Sequence, residues 1–282
     1  MTVSPIATLA VIGGAALHAA WNVGIRGGVD RRISTAALTL GAATLGLSVL
    51  PFLPATTAAA WPHLVISMLL HILYFNLIAE TYTLGAVSLT YPVMRGVAPA
   101  LTATIAILGF GEHLGLGGWA GLLLISFGVM LLARRQGNHG EGRALLLAIG
   151  NAAIIALYTV NDGFGVRLSH SPVAYGIWTF VLPAFPTSLI LLRGRLGQLF
   201  TTGNSWRVVR NGFGGGFCSV TSYTLALWAM ASAPIAAIAA LRETAMLFGL
   251  LFAWWFLHER PGRRGMVAAL VIGIGAAILD FG

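Results

Sequence analysis

Ten apolar runs follow one another along this chain, near residues 3–25, 33–52, 63–83, 86–109, 116–133, 143–165, 172–192, 206–230, 234–257 and 264–281. A helix needs roughly 20 residues to cross the hydrocarbon core of a bilayer, and these runs approach or exceed that length. Strands of a membrane barrel would instead alternate over about ten residues. The joins carry Gly, Pro, Arg and other polar residues, and several are so short that consecutive helices must be antiparallel neighbours. The reading is an all-α membrane protein of ten transmembrane helices. Composition agrees: 57% of the 282 residues are hydrophobic and 9% charged, where a water-soluble domain has about a quarter of its residues charged.

The net charge of +8 would point to nucleic acid in a soluble protein. Here the arginines sit in the joins between apolar runs and there is no lysine, so no nucleic-acid partner is expected; the partner is the lipid bilayer. The single cysteine, Cys218, excludes an internal disulfide and reads as a small packing residue. No basic segment precedes the first run and no small-residue cleavage site stands out before Trp21-Asn22, so the run reads as a retained helix.

The stretch 84–134 resembles 231–281 at a shift of 147 residues. Arg95 falls on Arg242, Glu112 on Glu259, Gly118 on Gly265 and Gly128 on Gly275. Trp21-Asn22-Val23 can be laid on Tyr158-Thr159-Val160. The chain therefore reads as two five-helix repeats, 1–135 and 143–282, in one integral membrane unit. An odd number of helices per repeat puts the two in opposite orientations, the construction of many secondary transporters, whose substrate site lies between the repeats near mid-membrane.

The joins after helices 1, 5, 7 and 9 hold thirteen of the sixteen arginines: Arg26, Arg31, Arg32, Arg134, Arg135, Arg143, Arg193, Arg195, Arg207, Arg210, Arg260, Arg263 and Arg264. The even joins hold Arg167 alone. Positive residues favour the cytoplasmic side, which places both termini outside, in the periplasm of a bacterial inner membrane.

Two five-helix halves, each with Glu ending its fourth helix and a Gly-rich fifth helix, resemble the drug/metabolite transporter superfamily and its EamA-type members. The likeness is carried by Leu17-His18-Ala19-Ala20-Trp21-Asn22, Arg95-Gly96-Val97-Ala98-Pro99, Gly109-Phe110-Gly111-Glu112 and Arg242-Glu243-Thr244 through His258-Glu259-Arg260, and it spans essentially the whole chain. Aromatic amino-acid exporters of the YddG type are similar; plastid sugar-phosphate exchangers, which use Lys and Arg pairs, match poorly. The resemblance implies export of amino acids, metabolites or drugs through a cavity formed mainly by helices 1, 3, 4, 6, 8 and 9, with no cofactor and no catalysis.

An ionisable group at bilayer depth is costly and faces a cavity or a partner. Arg95 lies between Pro92 and Pro99 on the fourth helix; it either binds a carboxylate or holds a gate, or it pairs with Glu80 to pin two helices. Arg242 and Glu243 occupy the equivalent place, and adjacent residues point about 100° apart on a helix, so one can face a cavity and the other a neighbour. His18 and Asn22 are four apart on one face, with Trp21 beside them. Asn76 with Glu80 makes another such face, and Tyr82 follows. Tyr158, Asn161 and Asp162 form a polar stripe on the sixth helix, where solvation near the outer end competes with a functional role for Asp162. Tyr91, Trp178, Tyr223 and Trp228 complete the aromatics within reach of a cavity; Trp61, Trp119, Trp206 and Trp254 read as belt or lipid-facing. Glu112 and Glu259 read as structural groups at helix ends.

The expected substrate-binding set is His18, Trp21, Asn22, Asn76, Tyr82, Tyr91, Arg95, Tyr158, Trp178, Tyr223 and Arg242, with Glu80, Asp162 and Glu243 as coupling or gating candidates. An aromatic, weakly charged cavity suits a neutral or zwitterionic substrate with an apolar side chain. Gly117 with Gly121, and Ala269, Gly273 and Ala277, read as close-packing scaffold. The seven histidines are scattered and form no metal-ligand motif, and neither a Gly-x-Ser-x-Gly nucleophile nor a phosphate loop is present. The function expected is therefore secondary export of small metabolites, most of all neutral or aromatic amino acids, by a monomer working through alternating access. Multidrug or other metabolite efflux is the alternative, with an intramembrane scaffold or enzyme behind it.

Overall fold

The computed structural model describes residues 3–24, 31–134, 141–194, 205–258 and 262–281. Among these residues the regular structure is entirely helical: α1 (Pro5–Gly24), α2 (Arg31–Val49), α3 (Trp61–Leu84), α4 (Val87–Phe110), α5 (Leu116–Met130), α6 (Glu141–Leu168), α7 (Pro172–Leu192), α8 (Ser205–Met230), α9 (Ile235–Leu241), α10 (Ala245–Leu257) and α11 (Arg263–Phe281). Short 3₁₀ turns lie at Leu50–Phe52, Ala58–Ala60 and Arg242–Thr244. The run read as one helix over 234–257 is thus two α-helices joined by the turn that carries Arg242 and Glu243.

Among the described residues, six helical segments are long and apolar enough to cross a membrane: Arg32–Phe52, Ala58–Leu84, Val87–Phe110, Glu141–Leu168, Pro172–Leu192 and Ile235–Trp255. Pro5–Ala20 and Leu116–Met130 are shorter apolar helices. Large apolar side chains such as Leu9, Leu108, Leu146, Phe185 and Leu270 stand exposed on the outside. An apolar exterior of this extent is a surface for lipid.

The core is built along helix crossings. α2 packs on α7 and α8, α1 on α8 and α10, α3 on α6 and α7, α4 on α5, α6 and α9, and α5 lies along α11. Without water, apolar helices gain little from burying apolar surface, so close van der Waals contact through small residues takes over. At the α5–α11 crossing a Cβ on Gly121 would meet the Gly275 carbonyl oxygen at 2.6 Å, and one on Gly275 would meet Gly121 O at 2.8 Å. The face of α11 at this crossing runs through Ala268, Ile272, Gly275 and Leu279. It is not the expected Ala269, Gly273, Ala277 stripe: a Cβ on Gly273 would meet nothing within 4 Å. Trp119 packs partly buried against the core.

Backbone groups freed in the membrane need internal partners. Pro92 lies inside α4 and cannot donate to the carbonyl four residues back. That carbonyl, on Ser88, accepts instead from the Arg134 N–H at 3.0 Å. α4 ends on Gly111 at φ +68°, whose N–H returns to Ala106 and Ile107, a left-handed cap suited to glycine. α10 ends on His258, also left-handed, at φ +56°.

Candidate functional site

The strongest charges of the interior meet where α4 crosses the α9–α10 turn. Arg95 Nε donates to Glu243 Oε2 at 3.0 Å, and Arg95 Nη2 lies 3.0 Å from Glu243 Oε1. This two-point pair uses the fork geometry of guanidinium on carboxylate. It is deeply buried, with side-chain exposures of 8% and 4%. The pairing of Arg95 with Glu80, weighed above, does not form. Glu80 bonds Arg32 Nη2 at 3.1 Å in a partly exposed pair, because the α3 face that bears Glu80 turns toward the start of α2.

Arg242 takes the opposite direction. Its guanidinium carbon lies 4.7 Å from the centroid of the Tyr223 ring on α8, within cation–π range. Among the described residues no carboxylate lies within ion-pair distance of it. The 100° offset of adjacent residues thus separates the two roles: Glu243 neutralises Arg95, and Arg242 is left with an aromatic face.

Beside these charges sits an aromatic cluster that joins α3, α6, α7 and α8. The His71 and Tyr158 rings are 4.4 Å apart at 30°. Tyr74 meets Tyr158 edge-on at 5.7 Å, Tyr158 meets Tyr223 at 5.9 Å, and Phe180 meets Tyr223 at 6.1 Å. His71 Nδ1 is held at 2.9 Å from the Ser67 carbonyl oxygen on its own helix. Tyr74, Tyr91 and Tyr158 are within electrostatic reach of Arg95. His18 Nε2 lies 3.3 Å from the Tyr91 hydroxyl, which links α1 to α4.

Asp162 lies behind the cluster and is fully buried, contrary to a solvated position at the outer end; α3, α7 and α8 cover its face of α6. Tyr223 Oη donates to Asp162 Oδ2 at 2.7 Å, Tyr175 Oη to Oδ1 at 3.3 Å and Asn161 Nδ2 to Oδ1 at 3.1 Å. Asn161 also donates to the His63 carbonyl oxygen at 2.8 Å. A buried carboxylate demands such donors.

Of the expected site residues, Arg95, Glu243, Arg242, Tyr223, Tyr158, Tyr91, His18 and Asp162 come together here. Asn76 does not join them: its side chain donates to the Ile72 carbonyl oxygen at 2.7 Å on its own helix. Tyr82 packs half-buried against the core. Trp178 meets Trp61, ring centroids 5.4 Å apart, and Trp228 is exposed. Trp21 and Asn22 lie outside the residues whose side chains are described, and Glu259 outside the described residues altogether. His71, Tyr74 and Tyr175 join the site beyond the residues expected from sequence. A signal for the first exists, since His63, Ser67 and His71 repeat every four residues on one face of α3; Tyr175, fully buried, carries no such mark.

A second charged knot closes one end of the bundle. Glu112 accepts from Arg167 Nη2 at 2.8 Å and from the Ile235 N–H at 3.0 Å. Arg167 also donates to the Met230 and Ala233 carbonyl oxygens at 3.0 and 2.9 Å. The structural role read for Glu112 takes this form: a carboxylate on the first N–H groups of α9, where the helix dipole favours an anion.

The profile of the EamA-like transporter family matches residues 142–280. No curated protein matches the sequence. Among solved structures, one described only as "Crystal structure of protein" shares the fold with a TM-score of 0.78, at 20% sequence identity, over 96% of this chain and 95% of that one.

Proposed function

We propose that this chain, whose residues 142–280 match the EamA-like transporter family, is a multi-pass membrane transporter of the drug/metabolite type, and we assign it a cargo and a working cycle. Its cargo is a small metabolite bearing a carboxylate, foremost an amino acid with a neutral or aromatic side chain. One observation carries this. Arg95 is saturated by Glu243, while Arg242 rests on the face of Tyr223 with no carboxylate partner among the described residues. A guanidinium within the membrane needs an anion, and the substrate supplies it. The rings of His71, Tyr74, Tyr158 and Tyr223 beside it suit an apolar or aromatic side chain.

The cycle is alternating access. Two inverted five-helix halves, 1–135 and 143–282, rock about the site of a ten-helix monomer in a bacterial inner membrane, with both termini in the periplasm. Packing supports the duplication. α5 meets α11 and α2 meets α7, each against its counterpart, while α1 on α8 matches α6 on α3. Gly128 lies against Ala268 and Ile272, and Gly275 against Gly121 and Ile125, the same contacts at the same offset of 147. The left-handed caps Gly111 and His258 share that offset as well.

The test is uptake of labelled aromatic and small neutral amino acids into proteoliposomes, with and without an imposed pH gradient. Saturable uptake that weakens on Arg242→Gln supports the proposal. Acceleration by the gradient would add a proton site, with Asp162, Glu243 and Glu80 as the carboxyls to replace. No uptake of any amino acid by folded protein would overturn the cargo and leave drugs or other metabolites.

A further inference from the structure

We infer that Asp162 and Tyr223 are positioning residues for the substrate carboxylate: Asp162 fixes Tyr223, and Tyr223 keeps the Arg242 guanidinium apart from Glu243 and available to the cargo. This rests on the proposed reading of Arg242 as the carboxylate-binding group.

Three elements meet in one line. Asp162 is on α6, Tyr223 on α8, and Arg242 follows α9. The Tyr223 hydroxyl donates to Asp162 Oδ2 at 2.7 Å, and the opposite resource of the same residue, its ring face, carries the Arg242 guanidinium at 4.7 Å. A hydrogen bond at the hydroxyl fixes where the ring stands and which face it presents. The anchor cannot drift, because the other carboxylate oxygen is held by Tyr175 of α7 and Asn161 of α6. Among the described residues no cation lies within ion-pair distance of Asp162. Its carboxylate acts there as an acceptor that organises donors.

The arrangement solves a problem that sequence adjacency creates. Arg242 sits next to Glu243, so a loosely held guanidinium would compete with Arg95 for that carboxylate. Arg95 occupies both Glu243 oxygens, and Tyr223 gives Arg242 a different seat. A phenol that donates to a carboxylate gains electron density in its ring, which strengthens the attraction for the cation above it. Asp162 thereby acts on Arg242 through Tyr223 without touching it.

The experiment measures KM and maximal rate for phenylalanine uptake into proteoliposomes containing the full chain. The variants are Tyr223→Phe, Asp162→Asn and Arg242→Gln, plus Tyr223→Phe and Asp162→Asn each combined with Arg242→Gln. Tyr223→Phe keeps the ring and its packing, so it remains informative if Asp162→Asn fails to fold. Expected is a KM raised about tenfold by either single change, with maximal rate held within about twofold. In the Arg242→Gln background the same changes should do nothing further, since a residue that acts through Arg242 has nothing left to act on. Equal losses in both backgrounds, or no loss in either, would overturn the inference and leave the carboxylate reading of Arg242 intact. If Arg242→Gln alone leaves KM unchanged, or wild-type protein does not take up phenylalanine, the proposed cargo site fails and this inference with it.

Discussion

Arg95 and Glu243, 148 residues apart in sequence, are joined end to end by two contacts of 3.0 Å in the interior. The pair ties α4 to the turn between α9 and α10. Removing one partner leaves the other charge buried alone, a loss of about 3–5 kcal/mol for a buried pair. Arg95→Gln and Glu243→Gln are each expected to lower the thermal unfolding midpoint in detergent sharply. The double variant, with two neutral hydrogen-bonding groups, should recover most of it. Equal destabilisation by the single and double variants would refute the pairing as the source.

The exposed pair predicts the contrary. Arg32 and Glu80 have side-chain exposures of 34% and 44%, and pairs in contact with water contribute about 0–1 kcal/mol. Glu80→Ala should therefore shift the unfolding midpoint far less than Glu243→Gln. A comparable shift would mean that Glu80 has a second task.

Glu112 and Arg167 hold the entry of α9. Glu112→Ala removes the acceptor for the Ile235 N–H and the partner of Arg167, a loss of about 1–3 kcal/mol from capping and hydrogen bonding together. Arg167→Lys keeps the charge and should recover little, because one ammonium cannot serve the Met230, Ala233 and Glu112 oxygens in the geometry of a guanidinium. Unfolding midpoints of the two variants decide this.

The α5–α11 crossing has no room for side chains. Gly121→Leu is expected to force the helices apart and cost about 1–3 kcal/mol by overpacking, visible as lower yield and a lower midpoint. Gly273→Leu on the open face of α11 should be close to neutral. The reverse ranking would show that the other face of α11 makes the contact.

The arginine asymmetry predicts sidedness. In a Cys218→Ala background, His113→Cys should react with a membrane-impermeant maleimide from outside intact cells, and Arg134→Cys only after permeabilisation. Both positions are exposed. Labelling in the opposite order would invert the proposed orientation.

Much was legible because each signal is local. Helical segments follow from the spacing of apolar runs and their short joins. The offset that lays Arg95 on Arg242 did not show that one would pair with Glu243 and the other rest on Tyr223. Less was legible where a residue's surroundings come from elsewhere in the chain. Asp162 looked peripheral by its position along α6, yet α3, α7 and α8 cover it. Tyr175 and Tyr74 showed nothing in sequence of the contacts they make. The face of α11 was misjudged because small residues occur all around that helix, and composition does not say which way it turns.

The sequence by itself determined that this chain is helical and built for lipid, for a physical reason: helix formation and membrane insertion depend on hydropathy and backbone hydrogen bonding within each segment. Only the tertiary structure decided which buried charge meets which. Helical periodicity fixes how residues are arranged around one axis, but the rotation of each helix against its neighbours is set by packing between segments far apart in the chain. That rotation gave Glu243 to Arg95, left Arg242 on Tyr223, and brought Asp162 to the hydroxyl on that ring.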